Sequence, residues 1–203
     1  MIIDDFKDRH VGQRAYVVGK GPSLDRVEVL KAHLNGGVVF CVNESIRKIE
    51  LIGLTAPTYA VQQDSSLKDR CVPNRAVHFM NCRQSVPEDH PGDKHHKIRK
   101  VDVSPWNKDA VLYDPGMFGE TVSTLTAIIA LRLARFMGCT ELVFVCFDAW
   151  VPSGSCEYAQ CVGSSSADGG QTERHVTHKT EILRAARGAG FGKIMAWFPD
   201  VEI

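Results

Sequence analysis

Three groups of residues have the types and spacing to do chemistry. The first is Gly19-Lys20-Gly21-Pro22-Ser23, directly behind the β-forming run Tyr16-Val17-Val18. Two glycines remove the Cβ atoms that would block a ligand, Pro22 pre-sets the backbone, and Ser23 or Asp25 can cap a helix. Exposed N–H groups at such a helix start, backed by the helix dipole, favour an anion such as phosphate. The same residues also fit a tight strand-to-helix turn that holds no ligand. The second group comprises Asn43-Glu44-Ser45, Gln63-Asp64 and Asp148, each following an apolar run. An Asn amide can bond a ribose hydroxyl or a base edge without adding charge, and Asn43 can equally cap a helix. The third is His175, His178 and Lys179, spaced to share one helix face. A histidine there could act as general base or acid while the lysine offsets charge on a leaving phosphate. A solvated helix surface accommodates the three just as well.

Other chemistries do not fit. The loop lacks Gly-x-x-x-x-Gly-Lys-Ser/Thr, so it is not a P-loop, and Leu24 stands where a dinucleotide fingerprint needs its third glycine. Asn43 takes the place at the end of the second strand where an acidic residue would hold the ribose of NAD. Cys156, Cys161, His175 and His178 match no strong zinc spacing, and no metal site is assigned. The cluster His90, His95 and His96, among Lys94, Lys97, Arg99 and Lys100, reads as a solvated basic loop, with the grip of an anionic acceptor as the alternative.

Elements must bring these residues together. Apolar runs at 16–18, 38–42, 59–61, 76–81, 141–147 and 193–198 read as strands, and helices are expected at 24–34, 46–51, 121–136 and 172–187. Asn35-Gly36-Gly37, Gly138 and Gly188 or Gly190 supply stop signals. Strand and helix alternate without a linker or repeat, so residues 1–203 form one α/β domain: a Rossmann-like doubly wound, mainly parallel sheet with helices on both faces. Such sheets bind ligands beyond the carboxyl ends of their strands, which makes the residues after strands one, two, three and the 141–147 run converge on one crevice. The stretches 82–113 and 151–170 read as long loops, the second lying over the site.

Composition sets the remaining bounds. Lys plus Arg and Asp plus Glu are 24 each, leaving no overall basic field for nucleic acid. The seven cysteines are an odd number, several in apolar stretches, as in a reducing cytoplasm. No run approaches the ~18 apolar residues of a membrane span. A homo-oligomer is compatible with all of this.

Gly19-Lys20-Gly21-Pro22-Ser23-Leu24, Phe40-Cys41-Val42-Asn43 and the pairing of 121–138 with 142–148 resemble the small bacterial sialyltransferases. They are equally similar to a sister group of 6-hydroxymethylpterin pyrophosphokinase-like proteins and to phage proteins sharing that nucleotide-binding core. The resemblance spans most of the chain. It implies a nucleotide held at Gly19, Lys20, Gly21, Ser23 and Asn43, with Gln63 or Asp64 lining the site and His175 or His178 as base. In the sialyltransferases the donor is a cytidine monophosphate sugar bound without metal. Lys20 stands where those enzymes commonly have Asn, which suits a diphosphate donor at least as well. Tyr158 is the candidate for steadying a departing phosphate.

The expected function is therefore glycosyltransferase-like. A nucleotide-sugar donor is bound without a required cofactor, and its sugar passes to an acceptor hydroxyl that the sequence does not identify. Pyrophosphoryl or phosphoryl transfer from ATP is the alternative, with Mg²⁺ held by Asp64 or Asp148. A non-catalytic nucleotide sensor or sequestering protein is the third reading.

Overall fold

The computed structural model describes residues 1–63, 72–87, 96–100, 109–119, 125–150, 159–162 and 172–197. Among them are nine strands: β1 (Arg14–Val18), β2 (Val38–Val42), β3 (Thr58–Gln62), β4 (Val77–Asn81), β5 (Arg83–Pro87), β6 (His96–Lys100), β7 (Val111–Tyr113), β8 (Glu141–Val145) and β9 (Lys193–Trp197). The α-helices described are α1 (Lys31–Leu34), α2 (Ser45–Leu51), α3 (Thr126–Phe136) and α4 (Thr172–Gly188).

Seven strands form one sheet in the order β7-β4-β3-β2-β1-β8-β9, and every neighbouring pair is parallel. The chain winds outward from β1 through β2, β3 and β4 to β7, then returns to the other side of β1 for β8 and β9. This is the expected doubly wound α/β sheet. Its strands are apolar on both faces because both faces are covered. Val17, Phe40, Val61, Phe79 and Phe144 point into a core shared with α3 and α4. Tyr16, Val18, Val39, Cys41 and Val145 point the other way, against Leu24, Val27, Ile46 and Ile49. The alternation along β1 and β2 thus divides one apolar run between two cores, each large side chain contributing about 1.5–3 kcal/mol on burial.

Several elements differ from expectation. The helix expected over 24–34 is a 3-10 segment, Pro22–Leu30, with non-helical backbone at Arg26, and only Lys31–Leu34 is α-helical. Asp25 explains the irregularity. Its carbonyl, an acceptor of the helical ladder, accepts from Lys48 Nζ at 2.7 Å, and its carboxylate accepts from the amides of Gln160 and Cys161 at 2.7 and 3.0 Å, tying the segment to distant partners. The stretch 82–113 contains the antiparallel pair β5–β6 and the edge strand β7. Polar residues without an alternating apolar pattern concealed the hairpin. β8 stops at Val145 because Cys146 adopts φ +60° and turns the chain aside. α3 does end where Gly138 predicts, at φ +89°, and a Cβ there would lie 2.8 Å from Val11 Cγ2.

Candidate functional site

β1 lies between β2 and β8, so the strand order reverses there, and ligands of open α/β sheets bind at that reversal. The exits of β1 and β8 are closed by the protein's own groups. Gly19 N–H donates to the Val145 carbonyl at 2.8 Å and Gly21 N–H to that of Cys146 at 2.9 Å. Asp148 accepts from Ser23 N–H at 3.2 Å and from Ser23 Oγ at 2.8 Å. Leu24 N–H closes on the Gly21 carbonyl. The N–H groups expected to be open to phosphate at Gly19, Gly21 and Ser23 are thus engaged, and a carboxylate occupies the helix start that the dipole would offer an anion.

The reason for the two glycines changes accordingly. A Cβ on Gly19 would stand 2.6 Å from the Cys146 carbonyl, and one on Gly21 would collide with the Asp148 carboxylate. Close approach of the turn after β8 demands both glycines. Asp148 positions the loop from 125 residues away in sequence. The segment 159–162, part of the stretch expected over the site, is tied to the same loop: Ala159 N–H donates to the Lys20 carbonyl at 2.8 Å. Burial alone would raise the Asp25 carboxyl, but hydrogen bonds from Cys161 and Gln160 and the Lys48 charge hold it below its ordinary value. Burial, then Asp25, pushes the Cys161 thiol up to about 12.

The exit of β2 is built differently. The register Val18 with Cys41 sets Lys20 beside the residues that follow β2. Lys20 Nζ donates to Glu44 Oε2 at 2.9 Å; the lysine side chain is 13% exposed and the glutamate 0%. Glu44 Oε1 and Asn43 Oδ1 are buried acceptors to which no group among the described residues donates. Asn43 holds φ +51°, a left-handed conformation Asn tolerates better than most residues. It is not the helix cap allowed from sequence: Glu44 is the N-cap of α2 and makes no side-chain cap bond. Ser45 Oγ serves the fold, donating to the Val18 carbonyl at 3.0 Å.

At the exit of β3, Gln63 is buried, whereas Asp64 lies outside the described residues. Gln62 is fixed beside it: its side chain meets His78 Nε2 at 3.0 Å, and its carbonyl accepts from Tyr113 Oη at 3.1 Å. Burial lowers His78 to about 4, so the ring is neutral at pH 7. Within the apolar strand 77–81, His78 carries no sequence signal of this role.

α4 runs back from the exit edge. Lys179 Nζ donates to the Trp150 carbonyl at 2.7 Å, tying the helix to the turn Asp148–Trp150. His178 is half-buried next to it; His175 lies on α4 one turn ahead of Lys179, its side chain outside what is described. Cys156, Tyr158, His90 and His95 also lie outside the described residues, as does the His96 side chain. Among the described residues no group of three His, Cys, Asp or Glu side chains is placed to hold a metal ion, and no helix is long and apolar enough to cross a membrane.

The pairing of Lys20 with Glu44 was open to sequence inspection. Parallel neighbours repeat at a fixed offset, so a cation just past β1 and an acid just past β2 meet. The docking of Asp148 on Gly21 carried no such signal.

No family model matches the sequence, and no curated protein matches it. Among solved structures, that of the MAf glycosyltransferase from Magnetospirillum magneticum AMB-1 is similar at a TM-score of 0.43 and 12% identity, over 93% of this chain and 41% of that one. The chain therefore spans less than half of that protein's length, and a likeness at this level assigns it no activity.

Proposed function

We propose that the chain is a glycosyltransferase-like enzyme that binds a nucleotide sugar across the exits of β1, β2 and β3 and transfers the sugar to an acceptor hydroxyl. One observation carries this reading: the buried acceptors Asn43 Oδ1 and Glu44 Oε1, without a donor among the described residues, at the ligand edge of an open parallel sheet. Buried acceptors left without donors cost about 1–3 kcal/mol each, so a ligand bearing O–H or N–H groups is favoured there. A nucleoside carries such groups on its ribose and on its base.

The chemistry follows from what stands around that edge. His178 or His175, on the first turns of α4, would take the proton of the acceptor hydroxyl, whose oxygen attacks the anomeric carbon as the nucleotide phosphate leaves. The Lys20 charge is offset by Glu44, whereas the Lys179 ammonium is held by the neutral Trp150 carbonyl. Lys179 is thus the better counter-charge for the leaving phosphate. Gly19, Gly21, Pro22, Ser23 and Asp148 would form a preset wall of the donor site. The scheme requires no metal.

Thermal-shift measurements with a panel of nucleotides and nucleotide sugars test it. A ligand at 100 times its Kd should stabilise the fold by about 2.7 kcal/mol. Absence of stabilisation by every member would overturn the reading. Replacing both His175 and His178 by Ala should abolish sugar transfer and leave donor affinity within about threefold.

A further inference from the structure

Glu44 carries the observations further than any other residue. It is fully buried, stands two residues past the end of β2, and has one carboxylate oxygen on Lys20 and the other without a donor among the described residues. In dinucleotide-binding sheets, an acid near the end of the second strand accepts from a ribose hydroxyl. Asn43 stands at the expected place, and the acid is displaced by one residue. The usual objection to an acid near a phosphate-bearing ligand is its negative charge. Lys20 removes that objection, because the pair has no net charge at its 2.9 Å separation.

A carboxylate only accepts hydrogen bonds, so the complement of Glu44 Oε1 must be a donor. Phosphate oxygens and ether or carbonyl oxygens are rejected at that point, and a sugar hydroxyl is accepted. We propose that Glu44 is the specificity residue for the ribose of the bound nucleotide: its Oε1 accepts a hydrogen bond from the 2′- or 3′-hydroxyl, while Lys20 holds Oε2 and fixes the carboxylate plane. This rests on the nucleotide reading above and adds that the ligand is a ribonucleotide, selected against its deoxy counterparts. Lys20 acts through Glu44 as a positioning residue.

The test uses the full chain and the 5′-mono- and diphosphates of the four common ribonucleosides, each beside its 2′-deoxy and 3′-deoxy forms, by isothermal titration. Loss of the hydroxyl that Glu44 holds should weaken binding by about 10-fold or more, since a buried charged acceptor then stays unpaired. The variant Lys20→Met/Glu44→Leu replaces the ion pair by apolar groups and avoids an uncompensated buried charge. Its fold is checked by circular dichroism, and its preference for ribo over deoxy ligands should shrink to less than about 3-fold. Equal binding of ribo and deoxy forms by the unmodified chain would overturn the ribose assignment and leave the nucleotide reading standing. Undiminished preference in the double variant would do the same. Binding of none of the nucleotides would overturn both.

Discussion

The exits of β1 and β8 on one side, and of β2 on the other, lie along one sheet edge but are finished in opposite ways. At β1 and β8 every polar group discussed has a partner inside the chain: Gly19 and Gly21 on β8 and its turn, Ser23 on Asp148, the Lys20 carbonyl on Ala159. At β2 the acceptors of Asn43 and Glu44 lack a donor among the described residues. A glycine-rich turn attracts notice in a sequence, yet here its glycines answer to the approach of another loop. The less conspicuous Asn43-Glu44 pair is where the fold leaves hydrogen-bonding capacity over. The glycine-motif residues and the residues with unfilled hydrogen-bonding capacity are therefore neighbours here and not the same atoms.

Four measurements can break or sharpen that contrast. The largest effect should come from Lys20→Met, which strands the Glu44 charge in the interior and should cost about 3–5 kcal/mol in urea unfolding at pH 7. The further change Glu44→Leu should restore most of it; a single variant that loses under about 1 kcal/mol would show that water reaches the Glu44 carboxylate.

The next concerns the support of the β3 exit. Burial lowers His78 from 6.5 to about 4, so the unfolded chain binds the extra proton first as pH falls. Stability contributed by the neutral ring is complete above pH 6.5 and is lost between there and about pH 4, by about 3 kcal/mol in all. His10, also lowered by burial and then by Arg9, changes in the same direction. The difference between the unmodified chain and His78→Gln, titrated by urea midpoint against pH, isolates His78; parallel curves would remove it from the β3 support.

Third, Gly21→Ala should destabilise the fold by about 1–3 kcal/mol through collision with Asp148. In combination with Asp148→Ala the two costs should add to less than their sum, because the second change opens the space the first one fills. Strict additivity in a double-mutant cycle would mean that the glycine is not there for the carboxylate.

The smallest effect belongs to Asp25→Asn. It should lower global stability by under about 1 kcal/mol while the Gln160 and Cys161 amides exchange faster with solvent. Because the Asp25 carboxyl is held below its ordinary value of 3.8, its contribution is present above that pH and fades as pH falls through the lower folded-state value. Unchanged exchange of those two amides would show that segment 159–162 is held by other contacts.

The sheet was legible because its signals are local and redundant. Val38–Val42 and residues 142–145 are continuous apolar runs, and turn residues follow each, so a doubly wound sheet could be read before any contact was known. The edge strand Val111–Tyr113 is only three residues long, and the Arg83–Pro87 and His96–Lys100 pair has charged and polar residues where strands are usually recognised. Neither length nor period distinguishes such pieces from a loop. Pro22–Leu30 has helical composition, but Asp25 diverts its carbonyl and carboxylate to Lys48 and to residues 160–161, distant partners that local propensity cannot anticipate.

For the site the division is similar. The sequence by itself determined which polar residues stand at strand ends, since the apolar runs stop at Gly19, Asn43 and Gln62 and the sheet type then sends those ends to one edge. Only the tertiary structure decided which of them are already satisfied. Hydrogen-bond saturation is a property of pairs, and the deciding pairs join residues 24 and 125 positions apart, Lys20 with Glu44 and Ser23 with Asp148. One pair closes the glycine loop on itself, while the other leaves a buried carboxylate oxygen at the mouth of the sheet.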